Sequence, residues 1–223
     1  KNKIKFSILK SNKLQTIKKL RVCSGNQQIQ RIDFDDDLSA INQVPFINKF
    51  IKKIKSSDAV LFSDYSKGTL AKCKELIKLV KKQNKIIVVD PKGLNFEKYK
   101  NSSFIKPNLN EFELVVGKIK SKKDFNNKAF KLNDKLNLKG LIVTLGKEGI
   151  AYFDKKKKYF YSSSYSKEVF DVTGAGDTAL AILSSCIAIK MDIENTLKIT
   201  NLAASIVINK FGTVPISFYE LLQ

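Results

Sequence analysis

Histidine is absent from all 223 residues, and the three cysteines, Cys23, Cys73 and Cys186, are odd in number and widely scattered. Without histidine partners or paired spacing they predict neither a zinc site nor a disulfide framework. A reducing compartment follows, and the expected location is cytoplasmic. Arginine is nearly missing too: of 41 basic residues only Arg21 and Arg31 are arginine. The net charge of +20 invites a nucleic-acid reading, because basic surfaces capture phosphate backbones through counterion release. Base-edge and bidentate phosphate recognition, however, lean on the planar guanidinium fork. The lysines are also spread over nearly every predicted helix instead of forming a stripe, so no specific nucleic-acid partner is expected. Long apolar runs are lacking as well. The longest, residues 179–189, is interrupted by serines and falls well short of the roughly 20 residues a membrane-spanning helix needs, so no membrane partner is expected. The opening "KNKIKFSILKSNK" begins with Lys1, not Met, and has neither the apolar stretch nor the cleavage site of a signal peptide. An N-terminally incomplete chain is the expectation.

What is present is enough apolar sequence, 43% of residues, to bury one substantial core. There is no internal repeat and no Pro/Gly/Ser-rich linker. Residues 20–34, "LRVCSGNQQIQRIDF", alternate in strand fashion around a Gly25-Asn26 turn and predict a hairpin or sheet edge. Residues 40–55 have helical apolar spacing, with Pro45 in the first turn. A regular rhythm follows. "AVLF" (59–62), "KIIVVD" (85–90), "SFIKP" (103–107) and "GLIVTL" (140–145) read as buried strands. Between them lie an amphipathic helix (69–83), the helix "NEFELVVG" and a polar helix (122–137). "GIAYFDKKKKYFYSS" (149–163) predicts a hairpin, "EVFDV" (168–172) a last strand, then a helix and a final pair of helices over 194–210. Short apolar runs alternating with helices signify parallel strands covered on both faces.

Ligands of open α/β sheets bind beyond the carboxyl ends of the strands. The segments there are "SDYSKG" (63–68), "DPKG" (90–93), "PNLNE" (107–111), "TLGKEG" (144–149) and, after the last predicted strand, "DVTGAGD" (171–177). Gly174-x-Gly176-x-x-Ala179 formally satisfies the dinucleotide fingerprint. Asp177 would then sit beside a pyrophosphate, where like charges repel, and the required strand after the helix is missing. No Walker-type spacing occurs. A second reading keeps the anion site: the backbone N–H groups of Gly174, Ala175 and Gly176 at a helix N-terminus would stabilise a transferring phosphoryl group. Asp177 would take the proton of the acceptor hydroxyl. A third is that the glycines only make a tight turn and Asp177 favours the helix end.

"DVTGAGDT" (171–178) resembles the C-terminal signature of the ribokinase, or PfkB, superfamily of sugar kinases. "LRVCSGNQQIQRIDFD", "LFSDYSKGTL", "VVDPKGLNFEKYKNSSFIKPNLNEFE" and "NLAASIVINKFGT" resemble, in order and spacing, the branch that phosphorylates D-glycero-D-manno-heptose 7-phosphate at its anomeric hydroxyl for ADP-heptose and lipopolysaccharide assembly. The resemblance implies a ribokinase-like α/β fold: a three-layer α/β/α sandwich with a mostly parallel sheet (38–223) and the remnant of a small β lid (1–37). It implies ATP and Mg²⁺ as cofactors, a sugar phosphate as substrate and a homodimer formed through the lid. It assigns Asp177 as catalytic base and Gly174, Ala175 and Gly176 as anion hole. Asn108, Leu109, Asn110 and Glu111 match the nucleotide-binding segment, with Glu111 on the Mg²⁺ network. Thr144 and Gly146 match the ATP-binding turn, and Asn201 matches an asparagine near the adenine. A substrate already carrying phosphate needs a cation, for which Lys67 and then Lys92 are the candidates. Asp64 and Asp90 either hold sugar hydroxyls or cap the turns that follow them. The family's first strand, with its sugar-binding Asp, and its Gly-Gly segment have no counterpart here. Either the chain is a fragment or it is inactive alone, and the alternative readings are another sugar or sugar-phosphate kinase of the family or an inactive fragment acting as an anion-binding protein. Gly25 stands where the family leads one to expect a large polar residue.

Overall fold

The computed structural model describes residues 4–10, 15–25, 27–36, 42–165, 172–210 and 212–222. A two-stranded antiparallel hairpin, β1 (Lys18–Ser24) and β2 (Gln27–Phe34), precedes the main body. Gly25 makes its turn at φ +55 with open space around the position a Cβ would take. Left-handed backbone explains the glycine there, where a large polar residue would be strained.

The main body is a six-stranded sheet in the order β3 (Ala59–Ser63), β4 (Ile86–Asp90), β5 (Phe104–Ile105), β6 (Gly140–Thr144), β7 (Ile150–Asp154) and β8 (Tyr159–Ser162). The first four strands are parallel, β7 runs against them, and β8 turns back antiparallel to β7. The expected hairpin at 149–163 is thus no appendage, since it extends the central sheet to its far edge. Six helices accompany the strands: α1 (Val44–Ile54), α2 (Cys73–Lys82), α3 (Leu109–Val116), α4 (Lys122–Lys135), α5 (Ala175–Ala188) and α6 (Ile193–Ile208).

The strand pleat sorts side chains onto two faces. Ile87, Val89, Leu141 and Val143 point into a core shared with α1, α2 and α4. Their neighbours Val88 and Ile142 point the other way, against Leu180, Leu183 and Ile187 of α5 and Leu197 of α6. Burial on both faces is why these strands read as continuous apolar runs. Each such side chain contributes about 1.5–3 kcal/mol by leaving water, and a layer of helices on either side gives the α/β/α sandwich.

Two expectations change. The predicted final pair of helices is the single helix α6, started by Asp192, whose carboxylate accepts the Asn195 N–H at 2.9 Å. Its internal polar residues do not break it, because Thr196 and Thr200 donate back to the carbonyls of Asp192 and Thr196. The predicted strand at 168–172 falls mostly on residues outside those described. Among the described residues no helix is long and apolar enough to cross a membrane. The serines that interrupt the apolar run of α5 are satisfied within the helix, Ser184 donating to the Leu180 carbonyl at 2.7 Å and Ser185 to that of Ala181 at 2.9 Å.

Candidate active site

The predicted loops meet at the carboxyl ends of the parallel strands. After β3 the chain turns at Asp64, whose side chain points inward and is almost wholly buried. Its Oδ1 accepts the Ser66 N–H at 2.7 Å, and its Oδ2 accepts the Tyr99 hydroxyl at 2.6 Å and the Lys98 ammonium at 2.7 Å. Burial pushes this carboxyl up, and the bonds from Lys98, Tyr99 and the Ser66 N–H outweigh it, leaving it below its ordinary value. Asp64 therefore ties the loop after β3 to the turn at residues 96–99, with both oxygens engaged by the protein. Gly93, at φ +80, lets the next loop pass close to Ser66.

Asp90 ends β4. Its carboxylate lies 3.0 Å from the ammonium of Lys106, a lysine with a side chain only 4% exposed at the end of β5. Burial raises the Asp90 carboxyl against the opposing pull of Lys106, and Glu111 and Asp177 add negative potential. Two residues on, Lys92 reaches across to Glu111, Nζ to Oε1, at 2.8 Å. Desolvation works against this ammonium, but the hydrogen bond to Glu111 is the larger influence and raises it.

Asn108 begins α3 through a reciprocal cap. Its side chain accepts the Glu111 N–H at 2.9 Å, and Glu111 Oε2 accepts the Asn108 N–H at 3.0 Å. This capping box is the local reason for an Asn and a Glu three residues apart. It leaves Asn110 exposed and Leu109 half-buried. Asn108 also bridges Thr144 at the end of β6, and the Thr144 N–H donates to the Pro107 carbonyl at 3.1 Å. The nucleotide-segment residues and the turn residue are thus adjacent. Gly146 follows at φ +61, with open space over its Cα.

Gly174 caps α5 in the left-handed conformation, φ 81, and a Cβ there would come within 3.3 Å of Thr213. Among the described residues a Cβ on Gly176 would meet nothing, so none of them closes over the helix N-terminus at that position. The Ala175 N–H already donates to the Val172 carbonyl at 3.2 Å, a bond that an anion at the helix start would compete with. Asp177, in the first helical turn, is exposed, and its Oδ1 accepts the hydroxyl of Tyr65 at 3.1 Å. One shelf thus carries Tyr65, Asp90, Lys92, Glu111 and Asp177.

Two candidates lie apart from it. Lys67 pairs with Asp35 beyond the end of β2, joining the loop after β3 to the hairpin. Asn201 is buried in α6, where its side-chain amide donates to the Ser162 carbonyl and hydroxyl, both at 2.8 Å, and holds the end of β8. A cavity of about 600 Å³ lies between α2 and the turn at residues 96–99, lined by Lys74, Lys78, Lys81, Lys82 and Lys100. It adjoins the amino ends of the strands, opposite the shelf, and its lysines are solvated.

Residues 1–217 match the profile described as "pfkB family carbohydrate kinase". The chain belongs to the pfkB family of carbohydrate kinases. Its relatives include the bifunctional protein HldE of Pasteurella multocida, 35% identical over 221 residues, which are 99% of this chain and 46% of that protein. HldE of Methylococcus capsulatus is 37% identical over 206 residues, 92% of this chain and 44% of that one. The chain thus spans less than half the length of these relatives. Among solved structures, ribokinase of Arabidopsis thaliana complexed with ribose and ATP superposes with a TM-score of 0.73 at 20% identity, covering 88% of this chain and 64% of that one. Phosphofructokinase-2 of Escherichia coli with substrates and products gives 0.71 at 19% identity, covering 86% and 65%. These likenesses establish the ribokinase-like fold.

Sequence reasoning passed over two residues at or beneath this shelf. Lys106 is the one charge inside the apolar run "SFIKP", a signal that could have marked it. Tyr65 stands between Asp64 and Lys67 in a segment already singled out, and only the fold shows that it reaches Asp177.

Proposed function

We propose that this kinase transfers the γ-phosphoryl group of ATP to the anomeric hydroxyl of D-glycero-D-manno-heptose 7-phosphate, with Asp177 as general base. The observation that carries the reading is the exposed Asp177 carboxylate in the first turn of α5, beside a Gly176 that none of the described residues closes over. The acceptor hydroxyl gives its proton to Asp177 as its oxygen attacks the γ-phosphorus. The bond to the β,γ-bridging oxygen breaks, and ADP leaves with that electron pair. Negative charge spread over the transferring oxygens is stabilised by the positive end of the α5 dipole. The loops at Asn108 and at Thr144–Gly146 lie beside each other and are the nucleotide's seat.

Among the described residues no group of three or more acidic or cysteine side chains forms a ready metal cage. Mg²⁺ takes one or two carboxylates and completes its shell with waters and phosphates. Glu111 would hold it, releasing Lys92 from Oε1, and the ion when bound neutralises charge on the β- and γ-phosphates. Asp64 has its oxygens committed to the fold, so among the proposed sugar contacts Asp90 is better placed.

The heptose assignment rests on the segments quoted above and on the HldE relatives. Lys67 is the proposed cation for the substrate's existing phosphate, which would take the place of Asp35 on its ammonium. Coupled ADP-release assays with heptose 7-phosphate, fructose 1-phosphate, ribose and no sugar test the assignment. Turnover is expected to be fastest with heptose 7-phosphate, and faster turnover of another sugar would overturn it. Removing Lys67 should raise KM for the sugar phosphate far more than for ATP; equal effects would contradict its role.

A further inference from the structure

Tyr65 has no part in the transfer scheme, yet its hydroxyl touches the proposed base. The residue is 56% exposed, and in water a phenol on such a loop has solvent to bond with. Here the backbone around it is pinned. Asp64 is buried and latched to Lys98 and Tyr99, and Ser66, at φ 54, donates its N–H back to Asp64. The residue between these anchors points off the end of β3, and its hydroxyl donates to Asp177 Oδ1 at 3.1 Å, across 112 residues of sequence. The surroundings agree: burial raises the phenol, a bond with Ser63 opposes this, and the Asp177 carboxylate adds to the rise.

The geometry points to Tyr65 as a positioning residue that occupies the Asp177 carboxylate until the acceptor hydroxyl takes its place. This rests on the reading of Asp177 as base. Without acceptor, the phenol holds Asp177 Oδ1, and a water at that oxygen would have to displace it before being activated against the nucleotide. When the acceptor arrives, its hydroxyl replaces the phenol as hydrogen-bond donor. No bond of Tyr65 is made or broken, and it keeps its proton. The contact therefore guards against wasteful hydrolysis at the expense of some acceptor affinity.

The test compares wild type with Tyr65→Phe in initial rates of ADP release by the full chain, with heptose 7-phosphate and without sugar. Exchange of one modest hydrogen bond predicts an acceptor KM about fivefold lower. Sugar-free hydrolysis should rise several-fold relative to sugar-dependent turnover, and the KM for ATP should move less than that for the acceptor. A merely structural tyrosine would instead raise KM and lower kcat, and that result, or an unchanged KM with unchanged hydrolysis, overturns the proposal. Asp177→Asn separates the two readings. Full turnover in that variant removes the base itself, whereas an inactive Asp177→Asn beside a Tyr65→Phe indistinguishable from wild type removes only the role of Tyr65. A readout free of turnover is the titration of the Tyr65 ring carbon in ¹³C-tyrosine-labelled chain, assigned by its loss in Tyr65→Phe. Its midpoint should fall in Asp177→Asn; an unmoved midpoint contradicts the contact.

Discussion

The ammonium of Lys106 lies 3.0 Å from the carboxylate of Asp90, joining the ends of two neighbouring parallel strands, β5 and β4, beneath the shelf that carries Glu111 and Asp177. With the lysine side chain 4% exposed, losing its partner would strand a buried charge. Asp90→Asn should destabilise the fold by about 3 kcal/mol, measured as a shift in urea midpoint. Asp90→Asn combined with Lys106→Met should recover most of that loss. Equal stability of Asp90→Asn and wild type would show that the pair is not desolvated.

Asp64 makes the fold's stability depend on pH. Burial is offset by three hydrogen bonds that hold its folded carboxyl below the ordinary 3.8. A lowered folded value stabilises above the unfolded one, and that stability is lost as pH falls from 3.8 through the folded value. Asp64→Asn should cost about 2 kcal/mol near neutral pH, and its deficit against wild type should shrink in urea titrations carried below pH 3.8. A deficit independent of pH would contradict the ionised latch.

Asn133 in α4 is 1% exposed, and among the described residues neither its side-chain oxygen nor its nitrogen has a hydrogen-bond partner. Such a group carries its desolvation cost uncompensated. Replacement by leucine, similar in outline, should stabilise the protein by about 1–2 kcal/mol, read as a higher urea midpoint. Loss of stability would reveal a partner the amide does have.

The hairpin carries Leu20, Val22 and Phe34, which are 52%, 41% and 56% exposed, on one face with Ile32. A two-stranded ribbon is marginal alone, so the expected pairing of two copies through the lid has a physical motive. Sedimentation should report a dimer that Leu20→Glu with Phe34→Glu converts to monomer. A wild-type monomer at micromolar concentration would refute the pairing.

The strands were legible because doubly covered strands read as apolar runs, as in "KIIVVD" and "GLIVTL", and the helices between them because α1 and α2 have strong helical periodicity. The end of the chain was less so. Threonines and asparagines inside α6 look like breaks until their hydroxyls are seen to bond within the helix. In the site, the chemistry-bearing residues stood at the predicted strand ends, and the topology brings Asn108 to Thr144 and Asp177 to Tyr65. What pattern could not show was occupancy: Asp64 and Asn201 have the right residue types and positions, but their polar atoms are engaged by Lys98 and Tyr99 and by Ser162. Which polar side chain is free and which is committed depends on distances between loops far apart in sequence.

The most direct test is acceptor-dependent ADP release by Asp177→Asn. The change removes the proton-accepting carboxylate at nearly constant shape, on an exposed residue whose loss should leave the fold intact. Turnover with heptose 7-phosphate should fall by about a thousandfold, with the urea midpoint and the affinity for ATP close to wild type. Turnover within a few-fold of wild type would contradict Asp177 as the base.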